Sequence, residues 1–473
     1  MTAALTPDGA IGLAQRTRSP GGTAVLVATS FASSLVFASG SLPGVSLAAI
    51  GRELSLTPLQ LPWLVNAELL PLAALTLTAG SLGDRFGRRS VFILGIVLFG
   101  AGSLLSAFAG SWGTLILGRL VCGVGGALIV PNGLSMLGAA FPSDRKARAV
   151  GVWSAAAAVA SAAAPGLAGA VLEYGSWRTT FLMLASLAAL ALFVAVPWTP
   201  KGGARAGLKV DWLGSGLSIL GLAALGWGLT GLTNGAGSLA LSLTAILFAL
   251  LALGALVVAE KRQGNRAMLP TGLLTSRDVI GVNLFTALLY GPFVAMLTLL
   301  PFVMIQGARL PPIVAGAAFI PLQILVTTIS PLAGRVCQRL GRRAPLILGG
   351  LMVAAGCLAG LRIDGHAAYW SDIFPAVLIL ALGMGLVVAP LSTLVLTSVN
   401  SDLAGTAAGI NSSVSRVGSL VGVALIGGVL QGGPGLMHAF HLAMAVAAGS
   451  CVLAALTVLI IEPGPHTDFV PRD

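Results

Sequence analysis

The sequence predicts an all-α polytopic membrane protein, and three features lead to this fold class. Apolar residues make up 56% of the 473 residues. Charged residues make up only 9%, whereas they are about a quarter of a typical soluble domain. Apolar runs of about 20 residues, the length that a helix needs to cross a bilayer, recur from end to end. Because polar and apolar residues do not alternate within the runs, the spanning elements are predicted to be helices rather than barrel strands.

Transmembrane helices are predicted wherever an apolar run is bounded by charged or turn-forming residues. The first run is about 25 residues long and further runs follow it, so we expect an uncleaved first span rather than a signal peptide. The fourteen predicted helices are 23–49, 60–80, 91–110, 113–139, 149–172, 179–198, 212–233, 238–259, 279–305, 313–333, 344–362, 371–397, 405–430 and 438–461.

The basic residues predict the orientation of these helices. With the N-terminus in the cytoplasm, twenty arginines and lysines fall in inner segments and four in outer segments. The positive-inside rule then places both termini in the cytoplasm of a multi-pass protein of the cell (plasma) membrane. The net charge of +11 does not indicate nucleic-acid binding, because the basic residues lie in short loops between apolar runs.

An internal repeat is predicted from two similar loops. Gly334–Arg343 matches Gly80–Arg89 at both ends, at an offset of 254 residues. In helix count, the loop after helix 2 matches the loop after helix 10, a shift of eight helices. Two six-helix halves and an inserted helix pair account for this shift. The predicted domains are an N-terminal cytoplasmic tail (1–22), a six-helix bundle (23–199), a linker with two inserted helices (200–278), a second six-helix bundle (279–461) and a C-terminal cytoplasmic tail (462–473).

Three segments resemble motifs of the major facilitator superfamily. Gly80–Arg89 is similar to its loop signature, and Leu115 with Arg119 resembles its fourth-helix motif. Ser154–Gly169, which ends in Ala164–Gly169, resembles its antiporter motif. The arrangement of six, two and six helices is similar to the fourteen-helix drug/proton antiporter branch. The resemblance implies a secondary active exporter, not an enzyme, that exchanges a small hydrophobic substrate for protons by alternating access.

The sequence departs from that branch at several positions. Where the branch usually has an aspartate in helix 1, this chain has Ser39 and Ser41 and no acid. Cys122 replaces the usual glutamine of the helix 4 motif, and Ala164 precedes Pro165 where the motif has glycine. In helix 2, Glu68 occupies a position that is usually aromatic.

Glu68 and Arg119 are the predicted proton-coupling residues. Glu68 is the one acid well inside a predicted span, and an ionisable group at that depth is expected to face the bundle interior and to have a function. Burial disfavours a charged carboxylate and thereby favours proton uptake. Arg119 matches the helix 4 arginine that the family associates with proton coupling. The alternatives are a neutral, hydrogen-bonded glutamic acid and an arginine that binds backbone carbonyls.

Two further segments are predicted to control access. A cytoplasmic gate is expected at Asp84, which can cap the next helix or bind arginines across the interface between the halves. The alternative for this loop is a topology signal alone. The small residues around Pro165 predict a close contact at that interface, with simple helix packing as the alternative. The gate comprises Gly80, Gly83, Asp84, Arg85, Gly87, Arg88 and Arg89, and the antiporter motif contributes Pro165, Gly166 and Gly169.

Polar residues within the spans are candidates for a substrate cavity. Little fixed charge accompanies them, which favours a lipophilic substrate that is cationic or neutral. Helix-to-helix hydrogen bonds are the alternative for each residue, and packing or gating for the arginine. The candidates are Asn66, Asn132, Asn283, Tyr290, Gln323, Asn411 and Arg416.

Other functional classes have weaker support. The His438 and His441 pair is too sparse to indicate a metal site, and no phosphate-cradling loop indicates ATP use, so no cofactor is expected. The expected partners are the substrate, protons and the lipid bilayer, without nucleic acid, and the expected state is a monomer. A dedicated exporter of an endogenous metabolite and a non-transporting membrane sensor remain alternatives.

Overall fold

The computed structural model describes residues 21–57, 60–200, 211–234, 238–263, 276–399, 404–427, 429 and 435–461. Most of both predicted tails and much of the predicted linker lie outside these ranges. All regular structure in the described ranges is helical. The α-helices are α1 (Gly22–Ser41), α2 (Pro43–Glu53), α3 (Trp63–Phe86), α4 (Arg88–Ala107), α5 (Trp112–Ala140), α6 (Ser143–Tyr174), α7 (Trp177–Trp198), α8 (Trp212–Asn234), α9 (Leu239–Gln263), α10 (Arg277–Gln306), α11 (Pro312–Ala317), α12 (Ile320–Leu340), α13 (Arg343–Ala359), α14 (Phe374–Thr397), α15 (Ala404–Leu425) and α16 (Leu436–Thr457).

The helices have the length and composition of a multi-pass membrane protein. Within the described ranges, 12 are long and apolar enough to cross a membrane, and 13 when the bent helix α3 is taken as one span. Helix α15 is not among them, because Asn411, Arg416 and several serines interrupt its apolar sequence. The all-helical prediction is therefore confirmed, with 12 spans of this kind.

Prolines divide two of the predicted helices. Predicted helix 1 consists of α1 and α2, which meet directly before Pro43. Predicted helix 10 consists of α11 and α12, with Pro321 in the first turn of α12. Because proline has no backbone N–H, it interrupts the hydrogen-bond ladder and is tolerated at a helix start.

Helix α3 bends by 58° between its segments Trp63–Thr76 and Thr78–Phe86. Pro71 lies inside it, and the hydroxyl of Thr76 donates to the carbonyl of Leu72. Both features weaken the regular helical ladder and are known causes of helix bending.

Helix neighbours recur between the two parts of the chain. Helix α1 packs against α6 as α10 packs against α15, and α3 packs against α5 as α12 packs against α14. Helix α4 packs against α7 as α13 packs against α16. The same set of neighbours, shifted along the chain, supports the internal repeat. Helices α8 and α9 pack on each other, and α8 also packs on α3 and α15.

The contact between the two sets of helices is tightest at one end of the bundle. We call this the far end, where α2 ends and α11 begins. The opposite, basic end carries the turn from α3 to α4. At the far end, a side chain at Gly169 would collide with the backbone of Pro312, and one at Gly316 with the backbone of Pro165. Gly44 meets the backbone of α10 in the same way.

The same face of α6 is uncovered toward the basic end. Gly151 and Ala155 recur on the face of Pro165 and Gly169 at helical spacing, and Gly151, Ser154 and Ala155 are exposed. The interface is therefore closed at the far end and open at the basic end.

Candidate coupling site

The site is a charged cluster at the junction of three helices. Glu68 on α3 and Arg119 on α5 are each 1% exposed. Arg119 Nη2 lies 2.5 Å from Glu68 Oε2. Ser39 on α1 donates from Oγ to the same carboxylate oxygen over 2.9 Å. The structure thus brings both predicted coupling residues together and adds Ser39.

Arg119 is fixed by two further hydrogen bonds. Its Nη1 donates to Ser39 Oγ over 3.0 Å, and its Nε donates to the Leu64 carbonyl over 3.0 Å. The Phe181 ring on α7 lies under the guanidinium, with its centroid 5.7 Å from Arg119 Cζ. Each polar contact offsets part of the cost of removing the charge from water.

A glycine next to this cluster allows α3 and α5 to approach. Gly123 follows Arg119 by one helical turn and faces the backbone of Glu68, where a Cβ would come within 2.5 Å of the Glu68 carbonyl oxygen. Any larger residue would push the helices apart and lengthen the distance between Glu68 and Arg119. The adjacent Cys122 points away from the pair, toward Ser103 of α4, and its Sγ lies 3.5 Å from that hydroxyl.

The two carboxylate oxygens of Glu68 have different surroundings. Oε2 carries the contacts with Arg119 and Ser39, whereas Oε1 is buried and has no hydrogen-bond partner among the described residues. The approach of Nη2 to Oε2 is a charge contact rather than an aligned hydrogen bond, since Nη2 also lacks a hydrogen-bond partner by geometry. A proton can therefore be added at Oε1 without displacing a hydrogen bond.

Arg416 approaches this cluster from the other half of the molecule. It lies on α15, is partly buried, and interacts electrostatically with Glu68. Its Nε is buried without a hydrogen-bond partner in the described chain. Glu68 therefore contacts Arg119 directly and interacts with Arg416 only through the longer-range electrostatic attraction.

Most of the predicted cavity amides bind neighbouring helices. Asn132 Nδ2 donates to the carbonyls of Ala79 and Leu128, which joins α5 to α3. Asn411 Nδ2 donates to Asn283 Oδ1 and to Thr286 Oγ1, which joins α15 to α10. These contacts are helix-to-helix hydrogen bonds, which the sequence left open as the alternative to a substrate cavity.

The remaining cavity candidates have different surroundings. Asn66 is completely buried on α3, and both atoms of its amide lack a partner in the described structure. Tyr290 packs edge-on against Phe293, and Gln323 is partly exposed on α12. None of these three residues has a hydrogen bond to the Glu68 cluster.

The predicted gate residues contact their own half. Arg88 Nε donates to Asp84 Oδ1 over 2.9 Å, across a turn in which Gly87 has a φ of 93°. Arg89 donates to the Val196 carbonyl over 2.7 Å and to Thr199 Oγ1 over 3.2 Å, at the end of α7. Asp84 thus pairs with the first turn of the next helix.

The other gate residues serve local packing. A side chain at Gly83 would collide with the amide of Asn132, so glycine is needed where α3 meets α5. Gly80 has free space around it. Arg85 is exposed and lies over the Phe86 ring, with its Cζ 5.2 Å from the centroid.

The second copy of the loop repeats this geometry. Gly341 has a φ of 80°, at the position that matches Gly87. Arg343 donates from Nε to the Ile461 carbonyl over 2.8 Å and from Nη2 to the Leu459 carbonyl over 3.2 Å. It therefore binds the end of the last helix as Arg89 binds the end of α7, which supports the predicted repeat.

One buried acid was missed by the sequence interpretation. Glu260 is 1% exposed and lines a cavity of about 210 Å³ between α3, α8, α9 and α15, together with Ala74, Ser215, Leu222 and Val417. The sequence placed the end of helix 8 at residue 259 and counted Glu260 among the acids that lie in loops, in tails or at helix ends. Helix α9 runs on to Gln263, which carries this carboxylate into the interface.

Comparisons with known proteins agree on the family. The profile of the Major Facilitator Superfamily matches residues 29–212 and 212–423. The multidrug resistance protein Stp of Mycobacterium tuberculosis is 26% identical over 94% of this chain and 83% of its own length. The puromycin resistance protein pur8 of Streptomyces alboniger is 29% identical over 90% of this chain and 88% of its own length.

Solved structures share the fold at lower identity. A POT family transporter in complex with 5-aminolevulinic acid superposes with a TM-score of 0.70, at 14% identity, over 95% of this chain and 97% of the other. The inward-open xylose transporter XylE from E. coli superposes with a TM-score of 0.66, at 15% identity, over 93% and 96%. The family consists of transporters rather than enzymes, as the sequence predicted. Because the family profile matches both parts of the sequence and the fold agrees, the chain belongs to the major facilitator superfamily.

Proposed function

We propose that this protein exports small hydrophobic molecules from the cell in exchange for protons. The curated relatives described above are drug-resistance proteins, and the resemblance covers nearly the whole chain. The proton-coupling part of the proposal depends on one observation, the buried contact between Glu68 and Arg119.

The proposed architecture has fourteen spans. Helix α15 adds one to the spans with clear apolar character, because it is 22 residues long and packs between α3, α8 and α10. Helices α8 and α9 form the inserted pair, and six-helix halves flank them. The positive-inside rule assigns the basic end to the cytoplasm, so the open end of the interface faces inward.

Glu68 is the proposed proton carrier. An ion pair in a low-dielectric interior is stable only while both partners keep their charges. Proton uptake at Oε1 neutralises the carboxylate and leaves Arg119 without its counter-ion. The related branch has its acid in helix 1; here the carboxylate comes from α3 and binds the hydroxyl of Ser39, which stands in that helix 1 region.

The proposed substrate is a neutral lipophile. Two arginines, Arg119 and Arg416, face one carboxylate at the centre of the described interface. The net charge of these three side chains is positive, and it becomes more positive when Glu68 is protonated. A cationic substrate would therefore be repelled. Of the two charge types that the sequence left open, the site favours the neutral one.

The test is drug and dye efflux from exporter-deficient cells that express the wild type, Glu68→Gln or the matched control Glu173→Gln. Glu173 is exposed at the end of α6. We expect efflux by the wild type and the control to stop on addition of a protonophore, and Glu68→Gln to lose concentrative efflux at equal expression. Wild-type efflux that is indifferent to the protonophore would exclude proton antiport.

A dedicated exporter of one endogenous compound is the second candidate. It is favoured by relatives that are named for single compounds, such as the tetracenomycin C resistance and export protein of Streptomyces glaucescens, 27% identical over 85% of this chain and 74% of its own length. Efflux restricted to one compound of a chemically diverse panel would support it. Absence of vectorial flux in vesicles for every compound would point instead to a non-transporting sensor.

A further inference from the structure

Arg416 is a partly buried charged residue of α15 that interacts electrostatically with Glu68. It belongs to the second half, whereas Glu68, Arg119 and Ser39 belong to the first. We propose that Arg416 is a positioning residue that stabilises the ionised form of Glu68 while the far end of the interface is closed, and withdraws that support when the halves rearrange. The inference rests on the proposed proton-coupled transport and adds a mechanism for it.

Arg416 has no other partner among the described residues. Its Nε is buried without a hydrogen-bond partner, and no carboxylate of the described chain forms an ion pair with it. An arginine inside a membrane protein is costly unless something compensates its charge. The described residue with which Arg416 interacts electrostatically is Glu68.

Arg416 belongs to a polar face of α15. Asn411, Ser415 and Arg416 fall within one arc of the helix, at about 100° per residue. Asn411 and its partners on α10 fix one end of this arc. Ile410, Val414 and Val417 occupy the opposite arc and line the cavity beside the inserted helices. The guanidinium therefore faces away from the inserted pair.

Few of the helices packed around Glu68 carry charged residues near it. Helix α5 contributes Arg119 and the thiol of Cys122, which faces α4, and α15 contributes Arg416. Helices α1 and α8 contain no ionisable residue, and α4 has its charges only at the basic end. Helix α2 carries Arg52 and Glu53 at the far end. Among the described residues, Arg416 is therefore the one cation near Glu68 whose position depends on how the halves are arranged.

The direction of the effect fits proton entry. With the far end closed and the basic end open, Arg416 attracts the Glu68 carboxylate and favours proton release toward the basic end. Rearrangement of the halves changes the distance between α15 and α3, which weakens a Coulomb attraction that varies inversely with distance. Glu68 then takes up a proton from the far side. Without Arg416, the proton affinity of Glu68 would be more similar in the two arrangements of the halves.

The test is the protonation of Glu68 in the purified full-length protein in liposomes. Infrared difference spectra recorded across a pH series contain a carboxylic-acid C=O band, and loss of this band in Glu68→Gln assigns it. We expect Arg416→Leu to move the midpoint of the band to higher pH by about one unit, the lower end of the effect of one nearby opposite charge. Arg416→Lys should restore the wild-type midpoint.

Arg362→Gln is the matched control, because Arg362 is an exposed arginine of the same half. It should leave the midpoint unchanged. An unchanged midpoint in Arg416→Leu, or a shift that Arg416→Lys does not reverse, would overturn the proposal. If Arg416→Leu does not fold, Arg416→Gln replaces it, since glutamine removes the charge and keeps a polar group.

The infrared titration needs no substrate and therefore separates this inference from the proposed function. If Arg416→Leu shifts the midpoint but the wild type transports no panel compound, the role of Arg416 is supported and drug export is rejected. Where transport is measurable, the pH of maximal efflux should move in the same direction as the midpoint. A merely structural role would lower efflux at every pH without that shift.

Discussion

Arg119 holds Glu68 and Ser39 together through neighbouring guanidinium nitrogens. Nη2 lies 2.5 Å from the Glu68 carboxylate, and Nη1 donates to the Ser39 hydroxyl over 3.0 Å. The three residues come from three helices that are distant in the sequence, so the arrangement depends on how α1, α3 and α5 pack.

This relationship predicts strong coupling between substitutions at Glu68 and Arg119. Arg119→Gln leaves a buried carboxylate without its counter-ion, a change that costs about 3 to 5 kcal/mol in comparable buried pairs. The double variant Arg119→Gln with Glu68→Gln should regain most of that stability, since no unpaired charge remains. Thermal unfolding of the purified protein measures both effects. Additive losses in the double variant would show that the two side chains do not interact.

The far-end contact predicts sensitivity to bulk at Gly169. A leucine there cannot fit against the Pro312 backbone, so Gly169→Leu should hold the far end open and abolish efflux. A cysteine at Gly166 has ordinary contact distances to its nearest neighbour and can report the opening by its reaction with an impermeant maleimide. The cysteine should be protected from the maleimide when it is the only substitution. It should be labelled when it is combined with Gly169→Leu.

Gly254→Leu is the control for that experiment, because Gly254 has nothing within 4 Å of the added Cβ. It should leave both efflux and protection of the reporter unchanged. Protection that persists in Gly169→Leu would mean that the contact is not a gate.

The internal repeat predicts matched effects at Arg89 and Arg343. Each side chain donates to backbone carbonyls at the end of the last helix of its own half. Replacement of either by glutamine should lower the free energy of unfolding by about 1 to 2 kcal/mol, toward the low end for charged hydrogen bonds because both sites are partly exposed. Arg85→Gln is the control, since Arg85 lies in the same loop but is exposed over Phe86. A loss at only one of the two positions would argue against equivalent roles.

A contact within the first half predicts a pH-dependent stability. Arg178 and the Trp177 indole both donate to Glu53 at the far end, the indole over 2.6 Å. The hydrogen bond from Arg178, followed by that from Trp177, lowers the pKa of Glu53 below its ordinary value of 4.5. A lowered folded-state pKa contributes stability above the unfolded pKa, and that contribution disappears as the pH falls through the folded value.

Glu53→Gln should therefore lower the melting temperature modestly at pH 7 and progressively less below about pH 4.5. The effect should be small because the Glu53 side chain is 47% exposed and water screens the pair. Melting curves of the variant and the wild type over this pH range measure it. A difference that stays constant down to the lowest pH would contradict an electrostatic origin.

Part of the coupling site was predictable from the sequence. Glu68 was predicted because an ionisable residue inside an apolar run is costly in a membrane and is usually functional. Arg119 was predicted because it matches the fourth-helix motif. Ser39 was noted only as a residue in place of the helix 1 aspartate, and nothing in the sequence predicted its hydrogen bond to Glu68, which lies 29 residues away. Glu260 was missed because a helix boundary that differs by a few residues decides whether an acid is buried.

The sequence by itself determined the helical class and the family, because these depend on the length of apolar runs and on local motifs. The tertiary structure decided which polar residues meet. It placed Arg416 across the interface from Glu68, and it assigned Asn132 and Asn411 to helix packing. It also showed Asp84 paired with Arg88 rather than with the other half. Such contacts arise from close packing of helices that are remote in the chain, and small residues such as Gly123 and Gly169 set the distances over which they form.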